Sequence, residues 1–171
     1  MAEFTRTVEE VRALFDRWIA DNKKCEEERD WSRLAEYYAD DAVYQYTMGA
    51  AGLRVARGVE EIRRLVMQRD MEGFEGWTFP YEWVVIDGNK VMTRWWNQLP
   101  VTGEDGSPLR VMGVSCIELD NDLKIVSMYD CFDLAALLEM VKGSNRRHGE
   151  GQGRGADGHI SIPGAADAER V

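Results

Sequence analysis

Lys90-Val91-Met92-Thr93-Arg94-Trp95-Trp96-Asn97-Gln98-Leu99 and Ile125-Val126-Ser127-Met128-Tyr129-Asp130-Cys131-Phe132 are the stretches on which the fold turns. Both are rich in residues that suit a pleated, half-buried surface, and both read with a period of two. Each has a partner across a turn signal. Trp77 to Ile86 meets Lys90 to Leu99 through Asp87-Gly88-Asn89, and Arg110 to Leu119 meets Leu123 to Phe132 through Asp120-Asn121-Asp122. The sequence therefore predicts four long strands in two hairpins, separated by a loop over Pro100 to Pro108.

Upstream of these strands the period is helical. Val8, Val11, Phe15, Trp18 and Ile19 lie on one face, and Thr7 with Glu10 forms a capping-box pattern just before it. Asp30 is placed to cap a second helix carrying Trp31, Leu34, Tyr37 and Tyr38, which Asp40-Asp41 ends. Val43 to Tyr46 reads as a short strand and Gly49 to Gly58 as a loop. Val59, Ile62, Leu65, Val66 and Arg69 mark a third amphipathic helix. Asp133 can cap a last short helix, Leu134 to Val141, and from Gly143 apolar periodicity gives way to Gly, Arg, Asp and Ala. Helices followed by long strands predict an α+β fold. It is a cone-shaped barrel whose curved, mostly antiparallel sheet and three helices of the N-terminal half enclose an apolar pocket. The expected division is one domain over residues 1–142 and a flexible Gly-rich tail over 143–171.

The chain has 171 residues and a formal net charge of −10, with 44% hydrophobic and 30% charged residues. Length and balance fit one globular domain. The acidity argues against a nucleic-acid partner, a polyanionic substrate and an anionic membrane surface. Cys25, Cys116 and Cys131 form no CxxC pair and are an odd count for a disulfide framework. No stretch reads as a signal peptide or a membrane span, so a reduced, cytoplasmic protein is expected. The two histidines, His148 and His159, fall in the tail segment, and no metal-ligand spacing or phosphate-binding loop is present. No cofactor is expected.

Tyr37-Tyr38-Ala39-Asp40-Asp41-Ala42-Val43-Tyr44-Gln45, then Arg57-Gly58-Val59-Glu60-Glu61-Ile62, and finally Lys124 to Leu134, resemble in order three segments of the nuclear transport factor 2-like superfamily. That group includes ketosteroid isomerase, scytalone dehydratase, SnoaL-like polyketide cyclases and limonene-1,2-epoxide hydrolase. The resemblance spans residues 7 to 142 and is closest to the epoxide hydrolase branch. Tyr44 falls where that branch has a tyrosine helping to hold the attacking water, and Asp130 falls on an acidic residue of its last strand. The chain departs at the branch's Arg-x-Asp pair, where Trp95 and Asn97 stand, and at an asparagine replaced by Tyr46. Asp30-Trp31-Ser32-Arg33-Leu34 is similar to scytalone dehydratase, whose histidines have no counterpart in the predicted core. The isomerase's catalytic base falls on Tyr46 and its buried acid on Ser115. The fold hosts many reactions, so the chemistry has to be argued from the site.

Pattern and resemblance together place Val126, Met128, Asp130 and Phe132 on one face of the last strand. Facing the same space are Tyr44 with Tyr46, Trp95 with Asn97, and Gly113, Ser115 and Ile117. Asp130 is a lone acid on an otherwise apolar face, where burial raises a carboxyl pKa and makes it a candidate proton shuttle. The expected catalytic set is Asp130, Asn97 and Tyr44, with Asn97 orienting a carbonyl or a water and Tyr44 donating to a developing oxyanion. The expected substrate-binding set is Trp18, Tyr46, Trp95, Ser115, Val126 and Met128. Arg94, Trp96 and Gln98 fall on the opposite face, which in the superfamily often makes a dimer.

The leading expectation is a cofactor-independent acid/base enzyme of isomerase, cyclase or hydratase/hydrolase type. Its partner would be a small hydrophobic molecule such as a polyketide, terpenoid or steroid. The alternatives are a non-catalytic module for hydrophobic ligands or association, favoured by loss of the Arg-x-Asp pair, and an epoxide hydrolase with an altered water site. A homodimer through the outer sheet face is expected.

Overall fold

In the computed structural model, residues 3–49, 52–74 and 76–148 are described. Helix α1 (Val8–Glu28) opens on the expected capping box: the Glu10 N–H donates to the Thr7 hydroxyl and the Thr7 N–H to the Glu10 carboxylate. Its buried face, Val11, Leu14, Phe15, Trp18 and Cys25, packs into the main core. Burial of each large apolar side chain contributes roughly 1.5–3 kcal/mol. Arg29 ends the helix in the left-handed region with φ of 59°.

The chain after α1 departs from expectation. The predicted second helix is a single 3-10 segment, Ser32–Tyr37, and strand β1 (Tyr38–Thr47) begins where that helix was expected to end. Asp40 and Asp41 therefore sit exposed in a strand and break no helix. Long-range pairing decides this: β1 runs parallel to β6 (Ile125–Phe132) and antiparallel to β2 (Leu53–Arg57). Strand β2 lies inside the predicted Gly49 to Gly58 loop. The third helical run is a short α turn, α2 (Val59–Glu61), continued by a π-helical stretch, Ile62–Gln68, and a 3-10 turn, Arg69–Met71.

Strands β3 (Tyr81–Asp87), β4 (Lys90–Thr102) and β5 (Pro108–Leu119) complete one six-stranded sheet in the order β2-β1-β6-β5-β4-β3. Only the β1–β6 pair is parallel among the pairs of this sheet. Strand β4 runs to Thr102, past the start of the predicted loop, and β3 starts at Tyr81, four residues after its predicted start at Trp77. Register shifts interrupt four of the ladders, at Tyr38/Val43, Tyr81/Trp83, Gln98/Thr102 and Glu118/Leu119. Irregularities of this kind bend strands and increase twist, which gives the sheet its curvature. Helix α3 (Leu134–His148), with the Ala136 N–H donating to Asp133 at 2.9 Å, is longer than predicted. Residues 143–148 of the expected tail continue this helix; the rest of that predicted tail, 149–171, lies outside the described residues.

Two apolar clusters fill the concave side. One joins α1, the 3-10 segment, the π stretch and the inner faces of β1, β5 and β6. The other joins Trp77, Leu99 and Val101 to Leu134, Leu137 and Val141 of α3. A cavity of about 150 Å³ lies where they meet, with Trp18 and Leu34 of the first cluster and Leu134 and Leu137 of the second in its wall.

Candidate active site

The alternation of β4, β5 and β6 carries four polar groups to the concave side. Pairing sets Trp95 beside Gly113, Thr93 beside Ser115, and Ser115 beside Asp130, while β1 sets Tyr46 beside Asp130. Trp95, Ser115, Asp130 and Tyr44 make one hydrogen-bonded chain. The Trp95 indole N–H donates to Ser115 Oγ at 2.8 Å, and the Ser115 hydroxyl donates to Asp130 Oδ1 at 2.6 Å. The Tyr44 hydroxyl donates to Asp130 Oδ2. Every group in the chain is buried, Ser115 completely.

Two opposed effects act on the Asp130 carboxyl. Loss of water on burial raises its pKa, and the hydrogen bonds from Ser115 and then Tyr44 lower it; the balance leaves it raised from 3.8 to about 6. Burial, then the neighbouring Asp130 charge, push the Tyr44 hydroxyl well above its usual range, so it stays a donor. A carboxyl poised near neutrality, with two fixed donors on its oxygens, can accept and return a proton without leaving its place.

Gly113 makes this wall possible. A Cβ there would stand 2.6 Å from the Trp95 ring, so the indole lies flat over the bare backbone of β5 and reaches Ser115. Phe79 and Phe132 pack on the same ring with centroids 6.3 Å away.

Of the residues expected from sequence, Asp130, Tyr44, Asn97, Trp18, Tyr46, Trp95 and Met128 line the cavity. Two do not. Ser115 is fully buried behind the wall, and its hydroxyl donates to the Asp130 carboxyl. Val126 is half-buried and outside the wall, because the register shift beside Leu119 turns Ile125 into the core instead. Tyr46 is half-buried, and its hydroxyl donates to Asp70.

Asp70 is the residue that sequence reading missed. It lines the cavity at the half-buried rim of the helical run, and its Oδ1 also accepts from Arg69 at 2.6 Å. The spacing Ile62, Val66, Asp70 places an acid at the next step of an apolar i, i+4 face, which was the available signal. Trp31 and Tyr81 also line the cavity, and the Tyr81 hydroxyl accepts from the Trp18 indole at 2.8 Å. Among the described residues no group of three or more His, Cys, Asp or Glu is arranged to hold a metal ion.

The profile of the SnoaL-like domain matches residues 11–128. The chain belongs to the SnoaL-like domain family. Solved structures with the same fold include an NTF2-like protein of unknown function from Mesorhizobium loti, with TM-score 0.57 and 20% identity over 75% of this chain and 95% of that one. A protein from Jannaschia sp. CCS1, provisionally named a SnoaL-like polyketide cyclase, has TM-score 0.60 and 16% identity over 80% of this chain and 95% of that one. One from Bacillus subtilis, provisionally named an isomerase, has TM-score 0.57 and 16% identity over 81% of this chain and 97% of that one. At these identities the likeness is one of fold. No curated protein matches the chain.

Proposed function

We propose that this SnoaL-like protein is a cofactor-independent acid/base enzyme, an isomerase, cyclase or hydratase/hydrolase in type, acting on a small hydrophobic molecule. The observation that carries the reading is a buried carboxyl, raised to about 6, in the wall of a mostly apolar cavity and held by Ser115 and Tyr44. Above its pKa Asp130 takes a proton from an activated C–H or O–H of the substrate. In an isomerisation or cyclisation it then returns that proton to another atom of the same molecule; in a hydration or hydrolysis the proton is taken from a water, whose oxygen bonds to the substrate carbon, and is returned to the substrate atom left with the electron pair, so that no outside oxidant or reductant is needed. Asn97 positions the polar end of the substrate and Tyr44 fixes the carboxylate, while Trp18, Trp95 and Met128 hold the apolar body. General acid/base assistance of this kind contributes on the order of 10²–10⁴ in rate.

The test is Asp130→Asn on a turned-over substrate, with circular dichroism to check the fold. Loss of turnover in a folded protein supports the role, and unchanged turnover overturns it. A ligand that raises the melting temperature and is recovered unchanged would instead favour a binding module.

The proposal extends to a cytoplasmic homodimer. The convex sheet face exposes Trp83, Val85, Met92 and Met112; Val85 pairs with Met92 across β3 and β4, and Met112 pairs with Trp96 across β4 and β5, with Arg94 between the two rows. Patches of that kind on soluble proteins mark interaction sites. The exposed free thiols of Cys116 and Cys131 on the same face suit a reducing compartment. Among the described residues no helix is long and apolar enough to cross a membrane. Sedimentation of the wild type and of Met112→Lys tests the dimer; a monomer at micromolar concentration overturns it.

A further inference from the structure

The walls of the cavity differ in how they are held. Helix α1 is regular and closed by its capping box, and its Trp18 indole is bonded to Tyr81. The sheet walls are fixed by their ladders, and the Asp133 carboxylate caps α3. A further wall is the helical run after Gly58, which supplies Val66, Met67, Asp70 and Met71. Gly58 offers no side chain to cap this run, and its α-helical part is only Val59–Glu61, followed by the π stretch Ile62–Gln68 and the 3-10 turn Arg69–Met71. Short π segments recur at functional sites, and elements with few buried contacts open at low free energy. The run is anchored at its inner end, where Ile62 is fully buried and the Arg63 guanidinium donates to the Ser32 carbonyl at 2.9 Å. At its outer end Gln68 and Arg69 are exposed, and Asp70 and Met71 are half-buried. There the Tyr46 hydroxyl donates to Asp70 Oδ2 and ties the run to β1. Asp70 Oδ1 accepts from Arg69 Nε at 2.9 Å and Nη2 at 2.6 Å. Arg69 is the next residue in the chain and moves with Asp70. The carboxylate therefore keeps its counter-ion when the Tyr46 bond breaks, and opening strands no buried charge.

We propose that the outer end of this run, residues 66–71, is the door of the cavity, and that the hydrogen bond from Tyr46 to Asp70 is its latch. With the bond made, Met67, Asp70 and Met71 close the cavity over its ligand. With the bond broken, the turn Arg69–Met71 swings away from β1 about the anchored Ile62, and the ligand enters or leaves. The unbranched side chains of Met67 and Met71 suit a wall that parts and repacks. The proposal rests on the reading given above only in taking the cavity for a ligand site. It does not require turnover.

The test follows entry and exit of 1-aminonaphthalene, a small neutral fluorophore whose emission responds to apolar surroundings, by stopped flow. Tyr46→Phe and Asp70→Asn each remove the latch and nearly keep the shape of the side chain. Each should raise the association and dissociation rates together, about tenfold or more, because the closed wall is weakened alike with and without the probe. The ratio of the two rates should stay nearly constant. The double variant should be no faster than the single ones, since all three lose the same bond. Amide hydrogen exchange should speed up over residues 66–71 and stay unchanged in α1 and in β4 to β6. Wild-type rates in both single variants, accelerations that multiply in the double variant, unaltered exchange over residues 66–71, or no binding of the probe overturns the proposal. So does weaker binding without faster association, which is the mark of lost packing alone. Asp130→Asn separates the door from the acid/base reading. If that variant loses turnover while the latch variants exchange the probe at wild-type rates, the acid stands and the door falls; if it keeps turnover while they exchange it faster, the door stands and the acid falls.

Discussion

The two faces of the same three strands, β4, β5 and β6, differ in a way that plain hydrophobic sorting does not predict. The concave face carries Thr93, Asn97, Ser115 and Asp130, all buried. The convex face carries Met92 and Met112, 44% and 43% exposed, with Arg94 and Arg110 stacked over Trp96 at 5.3 and 4.1 Å from its ring centroid. Four polar groups sit among the apolar side chains inside, and two methionines lie exposed among the charged ones outside. Burying a carboxyl is unfavourable, which is why its pKa rises, and exposing methionines forgoes burial that would stabilise the fold. Both departures have a direct reading if the inner face does chemistry and the outer face meets another surface.

The largest expected effect is at Asp130. Asp130→Asn should lower turnover by about 10²–10⁴. It should also stabilise the fold at neutral pH, and the sign follows from linkage. An acid with a native pKa of about 6 against 3.8 unfolded binds more protons when folded, so wild-type stability falls as pH rises from about 4 to about 6 and stays lowered above that. The melting temperature of the Asn variant relative to wild type should therefore be higher at pH 8 than at pH 4, corresponding to at most roughly 3 kcal/mol. A relative melting temperature flat across that range breaks the contrast between the faces.

Gly113→Ala comes next. The new methyl must displace the Trp95 ring, so about 1–3 kcal/mol of stability should be lost in urea unfolding, together with part of the activity. Ser115→Ala and Tyr44→Phe remove one donor each from the Asp130 oxygens. Each should raise the midpoint of the pH–rate profile, Ser115→Ala by more, and lower activity near pH 7 about tenfold. A downward shift would reverse the assigned electrostatics. The smallest catalytic effect belongs to the convex face: Trp96→Ala should weaken dimerisation in sedimentation and leave turnover within about twofold, because its side chain takes no part in the cavity wall.

The inner set of β4 to β6 was legible because a period of two survives wherever the ladder is regular, and Asp130, Asn97 and Trp95 emerged together for that reason. Val126 was misplaced because a register shift near Leu119 interrupts the period. Strand β2 and the early start of β1 were not legible, since Asp40-Asp41 and a Gly-flanked segment have poor strand propensity; pairing with β6 and between the two strands overrides it. Asp70 escaped because the helix was read from its apolar residues, and an acid at the next position of the same face counts against an apolar stripe.

Titration of the Asp130 side-chain carboxyl carbon by ¹³C NMR, assigned by comparison with Asp130→Asn, tests the account most directly. A midpoint near pH 6, moving upward in Ser115→Ala, is the expected result. A midpoint near 3.8 would mean a solvated carboxylate, and the proposed proton shuttle would lose its physical basis.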